Sequence, residues 1–198
     1  MNKLIIIGAG GHGRVAADIA RLIGYEEVSF LDDSLNGEPD VIGSTSDISE
    51  YVSRADFFVA IGNADVRKKF FDELHMLGAS IVQLIHPRAT IACSADIGEG
   101  VLVAAGAVVG VNATVGDGAI VNTLASVDHD CSLGAFSHIS AGVHMAGGTH
   151  IDCFTFVGVG ATVIKDVCSR CLIGAGAVVT KNITESGTYI GVPAKIKK

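Results

Sequence analysis

The chain has 198 residues, with 14 Lys+Arg against 21 Asp+Glu and a formal net charge of −7. That acidic balance excludes nucleic acid as the main partner, and although 49% of residues are hydrophobic, no uninterrupted apolar stretch is long enough to enter and span a membrane. Five cysteines, an odd number with no secretory leader ahead of them, predict reduced thiols and a cytoplasmic setting.

Strand and helix signals alternate over residues 1–84. Lys3–Ile7 is a short apolar run. It leads into GAGGHG, where Gly8, Gly10 and Gly13 make a literal G-x-G-x-x-G. Arg14–Ile23 has helical spacing, Val28–Leu31 reads as a strand ending in Asp32 and Asp33, and Asp56–Ile61 (DFFVAI) as another. Asp65–Leu77 is an amphipathic helix with Asp65 as its N-cap and Gly78 as its stop, and Ser80–Leu84 is a last strand. The pattern predicts an α/β Rossmann-like βαβ domain with a small parallel sheet. About 84 residues suffice for one mononucleotide-sized half and not for a doubly wound dehydrogenase domain. The glycine loop still suits a phosphate, since glycines let the backbone approach closely and the following helix points its positive end at the anion.

From residue 85 the rhythm changes. Apolar residues fall at every sixth position, from Ile85, Ile91 and Ile97 through Val127, Leu133 and Ile139 to Val157. Four residues after each comes a small or β-branched one, such as Ala89, Ala125, Cys131 and Ala161, over thirteen consecutive hexads. No α-helix has that period; a β-helix of short strands and tight corners does. The first residue of each hexad should fill the lumen and the fifth should pack near a corner. The many small side chains suit so regular an interior. After Val163 the spacing slips, which predicts an irregularity or small loop around 164–172, and GTYIGVPAKIKK leaves the repeat.

Three hexads per coil place residue n beside residue n+18, about 4.8 Å away. His129 therefore lies against Gly147. In SVDHDC, His129 is the third residue of its hexad, outside the lumen, where imidazole can take a proton near neutral pH. Asp130, or alternatively Asp128, is placed to orient it. His138, His144 and His150 are six apart, which puts them on three different faces, so they do not converge on a metal within one chain, which leaves only ligands shared between subunits. Cys168 and Cys171 have metal-like spacing without a second pair nearby, and read as reduced corner thiols. The segment 163–198 has six basic residues against two acidic ones; Lys181, Lys195, Lys197 and Lys198 could attract an anionic ligand.

The hexads resemble the hexapeptide-repeat acyltransferases. GAGGHG, FLDD, AIGN, LIHPRA, VNT…VDHD, FSHISAG and GVPAK together extend the resemblance to bacterial nucleotide-sugar N-acetyltransferases of the PglD type, with the NeuD sialic acid O-acetyltransferases as relatives. The resemblance implies a left-handed parallel β-helix over residues 85–198, a homotrimer with active sites at subunit interfaces, and transfer from acetyl-CoA to the 4-amino group of a UDP-4-amino-4,6-dideoxy-sugar, without a metal. It implies His129 as general base and Gly147 as oxyanion donor. Asp130 would be its acid, where the family usually has the longer Glu. Acetyl-CoA would meet His138 from a neighbouring subunit, and Gly147, Val159, Gly160, Ala175, Gly176 and Lys195. The nucleotide sugar would meet Gly10, Gly11, His12, Asp32, Asp33, Gly62 and Asn122. O-acetylation of a sialic acid, another nucleotide such as GDP-perosamine, a metal-dependent hydratase on the same repeat and a nucleotide-sugar scaffold are the alternatives.

Overall fold

A computed structural model describes residues 2–34 and 37–197. They form two compact units, Met1–Pro87 and Arg88–Lys198. In the first, five parallel strands lie in the order β3-β2-β1-β4-β5: β1 Lys3–Ile7, β2 Glu27–Leu31, β3 Val41–Gly43, β4 Asp56–Val59 and β5 Ser80–Ile81. Leu4 to Ile7 are fully buried, as the central strand of a sheet covered on both faces requires. Helix α1 spans Gly11–Leu22 and α2 spans Ala64–Met76.

Two local features differ from the sequence expectation. Helix α2 is capped by Asn63, whose side chain accepts from the Val66 N–H at 3.0 Å. Asp65 instead sits in the first turn, where its charge faces the positive helix end. Strand β3 and the following 3₁₀ turn Thr45–Glu50 carry too few residues for a periodic signal. The turn is held by Asp47, which accepts from the Ser44 N–H at 2.9 Å.

In the second unit, short strands stack into three parallel ladders of a left-handed β-helix. Their inner residues run Ile91–Val109–Val127–Met145–Val163–Val179, Ile97–Val115–Leu133–Ile151, and Val103–Val121–Ile139–Val157–Ile173–Tyr189. The first and fifth hexad positions both turn inward: Val127, Cys131, Leu133 and Ser137 are all buried. A coil cannot bury this face alone, so each depends on the coils either side.

The irregularity after Val163 is a shortening. Partners there change from n+18 to n+16, with Ile151 opposite Val167, Phe156 opposite Leu172 and Val163 opposite Val179. The expected loop is thus a coil with two residues removed from one corner. Beyond it, Thr188–Ile190 pairs antiparallel with Lys195–Ile196, a hairpin at the end of the third ladder.

Ile139 is fully buried in the lumen. Replacing it with Ala should cost about 2–5 kcal/mol, the usual effect of a cavity in a close-packed core, measured as a lowered midpoint in chemical denaturation.

Candidate functional site

His129 lies on the corner between the first and second ladders. Each coil contributes a pair of residues to this corner, and the pairs join through backbone bonds: the Asp130 N–H donates to Val111 O at 2.9 Å and the Gly148 N–H to His129 O at 2.9 Å. The second residue of each pair has positive φ, with Asn112 at 55°, Asp130 at 57° and Gly148 at 71°. Asn, Asp and Gly are the residues that enter this left-handed region at least cost. Asp130 is therefore favoured here by backbone geometry as well as by charge.

The side chains then interlock. His129 Nδ1 is 2.8 Å from Asp130 Oδ2, and Asn112 Nδ2 donates to Asp130 Oδ1 at 3.1 Å. An ionised carboxylate only accepts, so Nδ1 carries the proton in the neutral ring and Nε2 presents its lone pair. The shorter acid reaches the ring directly. Asp128 is engaged differently, accepting from the His129 backbone N–H at 2.7 Å. The bond to Asp130, and next the nearby Asp128 charge, raise the His129 pKa above its ordinary value. The bond to His129, and then that from Asn112, lower that of Asp130.

Gly147 lies against the ring, as the coil arithmetic predicts. A Cβ added there would stand 2.4 Å from His129 Nε2 and 2.5 Å from Cε1, closer than atoms can pack. The missing side chain is the space in which Nε2 is exposed.

The other residues expected at this site divide into groups. Asn122 and His138 meet on the outside of the third ladder, with Asn122 Nδ2 3.2 Å from His138 Nε2, and the His138 ring stands edge-on to Phe156 at 5.1 Å. Val159, Gly160, Ala175 and Gly176 are exposed on the corner between the third and first ladders, where the Gly176 N–H donates to Val159 O at 2.9 Å. This corner and that of His129 are different corners of the prism. Lys195 is exposed in the terminal hairpin, and Lys181 and Lys197 are exposed as well; Lys198 lies outside the described residues.

His138, His144 and His150 fall in three separate ladders. The last two bond through Nδ1 to Ser126 and Ser132, each at 2.8 Å. Among the described residues no group of three or more His, Cys, Asp or Glu is placed to hold a metal. Cys168 and Cys171 are free thiols with sulfurs 3.6 Å apart.

In the first unit the glycines of GAGGHG have separate duties. Gly8 has φ +100°, and a Cβ there would meet Ala60 O at 3.0 Å; one on Gly13 would collide with Gly8 O at 2.0 Å. These two shape the turn and the approach of α1 to β1. A Cβ on Gly10 or Gly11 would meet nothing within 4 Å, so packing does not require glycine at either. Asp32 and Asp33 hold neighbouring loops: Asp32 accepts from the Ala9 and Ser34 N–H groups, both at 2.8 Å. Asp33 accepts from the Thr45 N–H at 2.8 Å and its hydroxyl at 3.0 Å. Gly62 is exposed after β4.

Sequence reasoning missed Arg67. It is only 1% exposed, and its Nη1 donates to Ile61 O at 2.7 Å and Gly62 O at 3.0 Å. Burial, and then the Arg67 charge, push the His12 pKa down to about 4, leaving a neutral imidazole beside the loop at physiological pH. Burial lowers Arg67 to about 10, so it stays a cation. No helix is long and apolar enough to cross a membrane among the described residues.

With this geometry in hand, the relatives are informative. The PglD N-terminal domain family matches residues 3–74. The acetyltransferase domain of PglB from Neisseria gonorrhoeae is 43% identical, with a TM-score of 0.95 and complete coverage of both chains; it has also been solved with acetyl coenzyme A. PerB from Caulobacter crescentus, solved with CoA and GDP-perosamine, is 38% identical with a TM-score of 0.93, covering 99% of this chain and 97% of that one. The UDP-N-acetylbacillosamine N-acetyltransferase of Bacillus subtilis (strain 168) is 30% identical over 116 residues, 53% of this chain and 52% of that protein. The match thus spans about half the length of this curated relative.

An NMR titration of the His129 ring should give a pKa above the ordinary 6.5. Asp130→Asn should move it down further than Asp128→Asn, because only the former removes the direct hydrogen bond.

Proposed function

Since the chain belongs to the PglD-type nucleotide-sugar acetyltransferases of the hexapeptide-repeat superfamily, we propose that it transfers acetyl from acetyl-CoA to the 4-amino group of a UDP-4-amino-4,6-dideoxy-sugar. The observation that carries this reading is the corner where His129 Nε2 faces the open side of Gly147 while Nδ1 is held by Asp130. The sugar amine attacks the thioester carbonyl directly, forming the C–N bond. His129 Nε2 takes the amine proton, and the imidazolium is stabilised by Asp130. The N–H of Gly147, an exposed residue, donates to the tetrahedral oxyanion. Collapse breaks the C–S bond, and the proton held on His129 passes to the departing thiolate. No acyl-enzyme is formed.

Gly10, Gly11 and His12 form the cradle for the nucleotide diphosphate. The freedom of Gly10 and Gly11 from packing demands supports this, because it leaves their glycine character to serve close ligand approach. Asp32 and Asp33 contribute by holding the cradle loops, and Gly62 flanks them. Acetyl-CoA lies along Val159, Gly160, Ala175, Gly176 and Lys195. That group and the His129 group occupy different corners of one chain, which supports a homotrimer in which each site combines one corner from each of two neighbours, with His138 facing the adjoining subunit's acetyl-CoA. Phe156 and Leu172, 40% and 44% exposed on the third ladder, supply apolar surface for such an interface. Use of acetyl-CoA and a nucleotide sugar, together with five free cysteines, supports a cytoplasmic enzyme. A GDP-linked 4-amino sugar is the second reading, supported by the likeness to PerB over nearly the whole chain.

A thiol-release assay with UDP- and GDP-linked 4-amino sugars, and with sialic acid as a hydroxyl acceptor, should give turnover on a UDP-linked amine; turnover on the hydroxyl acceptor alone would refute N-acetylation. His129→Ala should lower kcat/KM by about 10²–10⁴, the range for a general base, with the fold intact by circular dichroism. Catalysis needs neutral His129, so activity should fall as pH drops through its raised pKa. Asp130→Asn lowers that pKa, so its acid limb should move to lower pH, at reduced activity. Gel filtration with light scattering should give three copies of the 20.3 kDa chain.

A further inference from the structure

A nearly fully buried arginine that donates to main-chain carbonyls is an unusual element in so small a sheet domain, because burying a guanidinium carries a large desolvation cost. Arg67 is the fourth residue of α2. One nitrogen, Nη1, takes two successive carbonyls, Ile61 and Gly62, of the segment that follows β4. A trans peptide sets its N–H opposite its C=O. Turning the Ile61 and Gly62 carbonyls inward to Arg67 therefore turns the N–H groups of Gly62 and Asn63 outward, and both residues are exposed. Strands β1 and β4 are neighbours, with Ile7 opposite Val59, so the segment lies beside GAGGHG. The contact is close, with a Gly8 Cβ position only 3.0 Å from Ala60 O. The result is a pair of outward N–H donors beside the Gly10–Gly11 loop, backed by a buried cation. Successive N–H groups of this kind make an anion-binding concavity.

We propose that Arg67 is the positioning residue of the acceptor cradle, holding the Ile61–Asn63 backbone so that its N–H groups join the GAGGHG loop in binding the diphosphate of the nucleotide sugar. The proposal rests on the nucleotide-sugar reading above and adds to it a residue and a mode of action. Arg67 itself does not touch the ligand. It acts through backbone orientation and through the positive potential it keeps beneath the loops. Lysine would preserve the cation but not the geometry, since a single rotating ammonium does not reproduce the rigid donor set of a guanidinium.

The test is calorimetric titration of the full-length protein with UDP and GDP, alongside steady-state kinetics and thermal melting. Arg67→Met should raise the Kd of the preferred diphosphate about 10- to 100-fold, the scale of losing hydrogen bonds that involve a charged group. KM for the amino-sugar nucleotide should rise in parallel while KM for acetyl-CoA stays constant. Arg67→Lys should recover part of the loss. A merely structural arginine would instead lower the melting temperature and the active fraction with both KM values unchanged, and that result overturns the proposal. Where Arg67→Met does not fold, Arg67→Lys is read in its place, and a wild-type Kd in that variant overturns it equally. A wild-type protein that binds neither UDP nor GDP refutes the nucleotide-sugar reading itself. Wild-type binding that Arg67→Met leaves unchanged refutes only the role of Arg67.

Discussion

The second unit depends on the register of its parallel ladders. Residue n pairs with residue n+18 for as long as each coil keeps three hexads, and backbone bonds of 2.7–3.1 Å, such as Gly110 N–H to Val127 O and Ser126 N–H to Val143 O, repeat that register from coil to coil. The lumen accepts only residues that fill a narrow channel, so a slip of one position would turn Val127, Leu133 or Ile139 outward and place polar neighbours inside. Apolar filling therefore enforces the register. The register in turn decides which corner residues from distant parts of the chain come to stand side by side.

That order leaves the corners free to bring polar side chains together. Flat faces spend their backbone groups on the ladders and their inward side chains on the lumen, while each corner offers side chains outside. The His129 corner shows how little is needed. One carboxylate sets the tautomer, one amide steadies the carboxylate, and one absent side chain keeps the other ring nitrogen open. Each partner lies 18 residues away or next in sequence: Asn112 one coil before Asp130, Gly147 one coil after His129. The same left-handed backbone that makes the turn also selects Asp at position 130, so the structural and chemical demands on that residue coincide.

The first unit is organised by close approach. Gly13 lets α1 come down on the turn at Gly8, and Gly8 lets that turn pass beside Ala60. Asp32 holds the glycine loop, Asp33 holds the turn after β3, and Arg67 holds the segment after β4. Three polar side chains thus hold backbone in place. A loop region held in this way is preorganised, so little ordering cost would attach to any ligand it meets.

Much of this was legible in the chain. Hexad spacing determined the β-helix, and since three times six is fixed by the repeat, it also determined that His129 meets Gly147. The glycine loop and the β-α alternation determined a Rossmann-like sheet, and the GAGGHG-to-GVPAK motifs its family. Other features had no local signal. Asn63 and Asp65 are both residue types that cap in NADVR, and the choice falls to Asn63 because the helix starts early enough for its side chain to reach the Val66 N–H. Arg67 sits in an amphipathic helix where a cation ordinarily faces water; only the packing of α2 against the sheet puts it beneath the loops. Whether Asp128 or Asp130 meets the imidazole depends on a corner dihedral near φ 57°, and the slip after Val163 reads equally well as an insertion or a deletion until the ladder shows a coil of sixteen. Periodic burial is written into every repeat, so the sequence alone determines it. Rotamers, caps and the burial of a single charge are settled by neighbours remote in the chain, so only the tertiary structure decides them.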